Sequence, residues 1–192
     1  MAKKGLNREC IVDAAEALAE EKGVENLTLH ELAGALGIKT SSLYNHLRGL
    51  PELNARLTER AFERLLGALK EAEGERTGTC ALRALAGTYR EFARRQPQLY
   101  KSMLALPHFK ENRIVELKRA YMELFKRILE PYGLPEEERV HLSRWIRSSL
   151  HGFVSLEAAG FFACPVDADE SYRQMVERLC GEIERKGGAC GE

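Results

Sequence analysis

Apolar residues recur at every third or fourth position along almost the whole chain, and no stretch sustains the alternation of a strand. The first stripe is Ile11, Ala14, Ala15, Leu18 and Ala19, with Asn7 at the cap position before it and Gly23 at its stop. A shorter stripe of Leu29, Leu32, Ala33 and Leu36 follows, opened by TLHE and closed by Gly37. Thr28 and Glu31 there have the spacing of a capping box. A third helix is expected over about Thr40 to Leu47, held by Leu43 and Leu47. Pro51 suits the first turn of a much longer fourth helix, striped by Leu53, Leu57, Ala61, Leu65 and Leu69 and closed by GERTGT.

The pattern continues with a helix from about Cys80 to Arg95 and a short one after Pro97, then a break at LPHFKEN. A long helix takes Ile114, Leu117, Tyr121, Leu124, Phe125, Ile128 and Leu129 on one face and ends at PYGLP. The next runs from Glu136 to about Gly160, and a last one carries Tyr172, Met175, Val176, Leu179, Cys180 and Ile183. The tail GGACGE is expected to be disordered. The fold class is therefore all-α: an N-terminal three-helix domain over residues 1–50, then a helical bundle over 51–192.

Ala33, Gly37 and Leu43 fall at the spacings of a helix-turn-helix, where a small residue permits close approach, a glycine turns the chain and an apolar residue seats the second helix. The outward positions of that second helix are Thr40, Ser41, Tyr44, Asn45 and His46, short or planar donors and acceptors able to reach base edges and phosphates. Lys39, His46 and Arg48 lie in a window free of acids between Glu31 and Glu52. The bland alternative is a solvated helix between two core helices.

The stretch from Asn7 to about Leu53 resembles the DNA-binding region of the tetracycline-repressor (TetR) family, through AAEALAEEKG, then LTLHELAGALGIKTSSLYNHL, then an immediate long helix. The Leu43-Tyr44 pair two residues before His46 is especially characteristic. The resemblance implies that Tyr44 and His46 contact phosphates, that Thr40, Ser41 and Asn45 face the major groove, and that Thr28 sits near the backbone at a helix N-terminus. Lys39 and Arg48 complete the expected DNA-binding set, and Leu50 stands where many relatives carry a phosphate-binding lysine. Leu150-His151-Gly152 resembles the Trp-His-Gly signature of one subgroup's C-terminal domain.

By the same resemblance the helices from Pro51 onward would bind a small ligand and pair in a dimer. Aromatic and adaptable residues offer an apolar or aromatic effector its walls: Phe62, Leu66, Tyr89, Phe92, Tyr100, Met103, Phe109, Tyr121, Phe125 and Trp145, with His151 as a polar contact. Small residues at Ser148, Gly152, Ser155 and Ala159 suit a self-complementary interface, to which Met175, Leu179 and Ile183 would add an apolar face. Close packing within one chain is the other reading of that stripe.

Composition changes this picture little. Among 192 residues, Lys+Arg and Asp+Glu balance at 29 each, so any attraction to DNA must be local. The five scattered cysteines lack metal or disulfide spacing and read as reduced thiols, and His141 and His151 are too far apart in register for one metal. No metal or cofactor is expected. Neither a signal-type leader nor a membrane span is apparent, so a cytoplasmic protein is expected. The expected function is a homodimeric regulator, most simply a repressor, on a palindromic double-stranded operator, released by a small molecule. The competing readings are a helical interaction protein that has lost DNA recognition and an enzyme built on His151 with Glu157 or Ser149, for which no nucleophile–base motif speaks.

Overall fold

The computed structural model describes residues 6–104 and 112–189. Phe109, one of the expected ligand contacts, and Cys190 lie outside them. Among the described residues the chain forms α-helices joined by turns and no strand: α1 (Arg8–Lys22), α2 (Leu29–Ala35), α3 (Thr40–Leu43), α4 (Leu50–Glu73), α5 (Gly78–Arg95), α6 (Pro97–Leu104), α7 (Asn112–Arg127), α8 (Glu136–Ala158) and α9 (Ala168–Ala189). Short 3-10 turns cover Val24–Asn26 and Glu130–Tyr132.

The chain divides into two compact units, one of Met1–Arg64 with Gln96–Leu117 and one of Leu65–Arg95 with Lys118–Glu192. The first has its own core, in which Ile11, Ala15, Leu32, Leu43, Leu53 and Leu57 are fully buried and Leu99 of α6 joins them. Each buried leucine or isoleucine contributes about 1.5–3 kcal/mol relative to exposure. Polar ties fix the helices around that core. Arg60 on α4 donates to Asp13 at 2.5 Å and Glu16 at 3.0 Å on α1, and the Thr58 hydroxyl donates to the Ser102 carbonyl of α6 at 2.9 Å.

The second unit packs α5 against α8 and α9, with Leu69, Leu82, Leu85, Phe125, Ile146 and Leu150 fully buried. Tyr132 accepts the Thr79 N–H at 3.0 Å, and Tyr172 donates to the Ala86 carbonyl at 2.7 Å. The α9 helix runs into the expected tail, through Gly187 and Gly188 to Ala189. Gly187 permits this because a Cβ there would meet the Tyr132 ring at 2.5 Å.

Candidate nucleic-acid interface

The local chemistry of the first unit follows its capping residues. Asn7 accepts the Cys10 N–H at 2.8 Å and opens α1. Thr28 accepts the Glu31 N–H at 3.2 Å, while its hydroxyl donates to the Glu31 carboxylate at 2.8 Å. Glu31 thus reaches back to the side chain of the cap. Gly37, at φ 65, closes α2 with Ile38 N–H to Ala33 carbonyl at 3.0 Å and Gly37 N–H to Gly34 carbonyl at 3.1 Å. That pair of bonds is a Schellman stop, and the left-handed residue it needs is glycine. Four residues, including this turn, separate the end of α2 at Ala35 from the start of α3 at Thr40.

The regular part of α3 is shorter than the apolar spacing implies, ending at Leu43 and not near Leu47. Asn45 and His46 donate to the carbonyls of Ser42 and Leu43, three residues back, which tightens the helix into turns before Leu47 returns to a four-residue step. The side chains keep their expected sides. Leu43 and Leu47 are buried, whereas Ser41, Tyr44 and Asn45 are exposed and Thr40 and His46 half-buried. Tyr44 is 58% exposed, although a tyrosine of the core would be covered.

Charge is arranged to favour an anion on this face. Lys39 and Arg48 are exposed beside it. Arg8, which the sequence reading did not include, donates from Nε to the His46 carbonyl at 3.2 Å. No local spacing links residues thirty-eight apart, and the only available signal was a basic residue in the first turn of α1. The two bracketing acids are engaged within the chain. Glu31 pairs with Lys22 at 2.7 Å, and this hydrogen bond, then that from Thr28, lowers its pKa. Glu52 accepts the Arg48 N–H at 2.8 Å and sits 3.8 Å from Arg56. A polar, cationic ridge on a buried leucine anchor is suited to a phosphate backbone and the base edges beneath it.

A family model for bacterial regulatory proteins of the tetR family matches residues 11–49, and one for the tetracyclin repressor-like C-terminal domain matches residues 82–179. The chain is 34% identical over 167 residues to the uncharacterized HTH-type transcriptional regulator YobS of Bacillus subtilis, covering 87% of each protein. It is also 31% identical over 182 residues to the uncharacterized HTH-type transcriptional regulator Rv0681 of Mycobacterium tuberculosis, covering 94% of this chain and 83% of that protein. The chain belongs to the TetR family of transcriptional regulators. A solved protein of unknown function from Rhodococcus sp. RHA1 is similar in fold, with TM-score 0.80 and 26% identity over 93% of this chain and 95% of that one. Both family models and both of these relatives are of transcriptional regulators and not of enzymes.

In this TetR-family chain the expected ligand contacts are spread over both units. Phe62 and Tyr100 are buried and Met103 half-buried in the first, while Leu66, Tyr89, Phe92 and Phe125 are buried and Tyr121 and His151 half-buried in the second. Tyr121 packs edge-on against Phe125 with centroids 5.2 Å apart. His151 lies 3.3 Å from the Ser155 hydroxyl, and burial lowers its pKa. Two pockets, one at Val24, Asn54 and Ser102 and one at Glu73, Arg127 and Glu130, are lined by none of these candidates. Trp145, another of the expected ligand contacts, is exposed on α8, at helical spacing from Ser148, Gly152 and Leu156.

The α8 stripe is accessible at Ser148 and Ala159 and half-covered at Gly152 and Ser155. It leads to Phe161 and Val166, 72% and 67% exposed. On α9, Met175 is half-buried, but Leu179 and Ile183 are only 1% exposed within the single chain. They pack into the chain's own core and leave no side-chain surface for a partner. Among the described residues no helix is long and apolar enough to cross a membrane, and no group of three or more His, Cys, Asp or Glu is placed to hold a metal. Cys180 is buried, which pushes its thiol up to about 11.

Proposed function

We propose that this regulator acts as a homodimeric repressor on a palindromic operator and is released by a small apolar or aromatic molecule bound in its C-terminal bundle. Residues 1–50 are the reading head in this account, and residues 51–192 bind the effector and dimerise. Tyr44, His46, Lys39 and Arg48 meet phosphates, with Arg8 added. Thr40, Ser41 and Asn45 enter the major groove, and Thr28 lies near the backbone. The observation that carries the reading is the ridge itself: Leu43 and Leu47 buried beneath an exposed Tyr44 and Asn45, with the flanking acids already paired.

The exposed Trp145, Ser148, Leu156 and Ala159, with half-covered Gly152 among them and Phe161 and Val166 beyond, support a partner helix on α8. Small residues there permit close approach, and the larger apolar ones supply area. A dimer would set two recognition helices about 34–36 Å apart, one turn of duplex. An effector would act by preferring a different separation, and only by as much as its affinity differs between the two states. Aromatic residues of the second unit, Tyr89, Phe92, Tyr121 and Phe125, support an apolar or aromatic effector, with His151 as its polar handle. The test is Tyr44→Ala combined with Asn45→Ala. Specific DNA binding is lost while helix content and dimer mass stay unchanged; a double variant that unfolds would place these residues in the core and defeat the reading.

A further inference from the structure

The first unit contains a pocket of about 380 Å³ outside the expected effector contacts, lined by Val24 and Glu25 of the turn after α1, Asn54 and Thr58 of α4, and Lys101, Ser102 and Leu104 of α6. Its volume is that of a small-molecule site. The wall is chemically one-sided. Thr58 gives its proton to the Ser102 carbonyl at 2.9 Å, and Ser102 gives its own to the Leu99 carbonyl at 2.7 Å. Both hydroxyls can therefore still accept but have no proton left to donate. Among the described residues no donor reaches the buried Asn54 Oδ1. A buried acceptor without a donor costs about 1–3 kcal/mol, so its retention calls for an explanation.

Two charges complete the lining. Glu25 is exposed, and its carboxylate folds over Gly23, where a Cβ would fall 2.9 Å from Glu25 Oε1. Lys101 is exposed on the α6 side. Val24 and Leu104 supply apolar wall. A simple cation would meet Lys101 and a simple anion would meet Glu25, whereas a small zwitterion satisfies both.

We infer that this pocket binds a small zwitterion of the amino-acid type, its ammonium directed to the Glu25 carboxylate, with the orphaned oxygen of Asn54 behind the wall adding to the attraction, and its carboxylate to Lys101. Such a ligand ties the α1–α2 link to α4 and α6, all within the unit that carries α3. Its consequence for DNA rests on the DNA-binding reading above: the ligand acts on the reading unit directly and separately from an effector in the bundle. Its binding does not rest on that reading.

The experiment is a thermal-shift measurement on the full chain without DNA, against each of the twenty common amino acids singly, with the best probe repeated as its decarboxylated amine and its deaminated acid. At least one amino acid raises Tm by roughly 3–5 °C at about ten times its Kd, and each single-charge analogue needs at least tenfold more for the same rise. Glu25→Gln, at an exposed position, abolishes the rise, and Asn54→Leu reduces it while leaving the unliganded Tm unchanged or higher because it removes the orphaned acceptor. Absence of protection by all twenty overturns the inference, as does equal protection by the amine and the acid or an undiminished rise in Glu25→Gln. Because no DNA is present, failure here leaves operator binding standing, and failure of operator binding leaves this result standing.

Discussion

Replacing Glu157 with glutamine removes the charge at the centre of a partly buried cluster in the second unit. Glu157 accepts from Arg90 at 3.0 and 2.5 Å and from Arg94 at 2.8 Å. The Arg90 guanidinium is almost covered, 4.6 Å from the Tyr172 ring centroid and 5.3 Å from that of Phe153. After the substitution Arg90 keeps Asp169 at 2.9 Å, but that carboxylate is mostly in solvent. Losing one partner of a fully buried pair costs about 3–5 kcal/mol, and an exposed pair about 0–1 kcal/mol. With side chains 8% and 18% exposed and a second acid remaining, the expected loss is about 2–3 kcal/mol. For a chain of this size that lowers Tm by roughly 4–12 °C. The assay is thermal and urea unfolding of Glu157→Gln, Arg90→Leu and the double variant, at low and high salt. The double variant should recover part of the loss, and high salt should erase little of it, because screening acts mainly on exposed charges. If Glu157→Gln costs no more than Glu170→Gln, whose Arg173 pair is on the surface, the reasoning about burial is wrong.

Leu43→Ala, at a fully buried position, should cost about 2–5 kcal/mol, whereas Tyr44→Ala one residue on should change stability by less than about 0.5 kcal/mol and still reduce DNA affinity at least tenfold; unfolding curves and DNA titrations compare them. Gly152→Glu should convert a dimer to folded monomer, read by light scattering with circular dichroism, and a dimer of unchanged mass would remove α8 from the proposed interface. In acid, Arg90 first and then Arg94 hold the Glu157 carboxyl below its ordinary value of 4.5. Its contribution is thus complete above that value and is lost as pH falls through the lowered one. Unfolding measured between pH 6 and 3 should show this slope, and Glu157→Gln should flatten it.

The residues that announced themselves in the sequence are those whose partners lie within one turn. Asn7, the Thr28–Glu31 pair and the Gly37 stop are all decided by chemistry three to five residues away. The buried and exposed sides of the segment from Thr40 to Leu47 were legible for the same reason, as Leu43 and Leu47 differ from Tyr44 by helical phase alone. Its α-helical length was not, because the exchange of four-residue for three-residue bonds at Asn45 and His46 leaves the apolar spacing intact. Periodicity likewise put Leu179 and Ile183 on one face of the last helix without saying whether their own chain or another covers it. Trp145 was grouped with the other aromatics by its character, and only the packing of α8 reveals that it faces out. Arg8 on His46, and Arg90 between Glu157 and two rings, join residues thirty-eight and sixty-seven apart, and nothing local encodes such pairs.

The central claim is that the ridge from Lys39 to Arg48 reads a DNA sequence as one half of a dimer. Selection of bound duplexes from a random pool at near-physiological salt, followed by sequencing, tests it most directly. The account predicts enrichment of a palindrome whose half-sites are about one helical turn apart, lost in Tyr44→Ala with Asn45→Ala. A folded dimer, confirmed in the same sample, that enriches no sequence would contradict it.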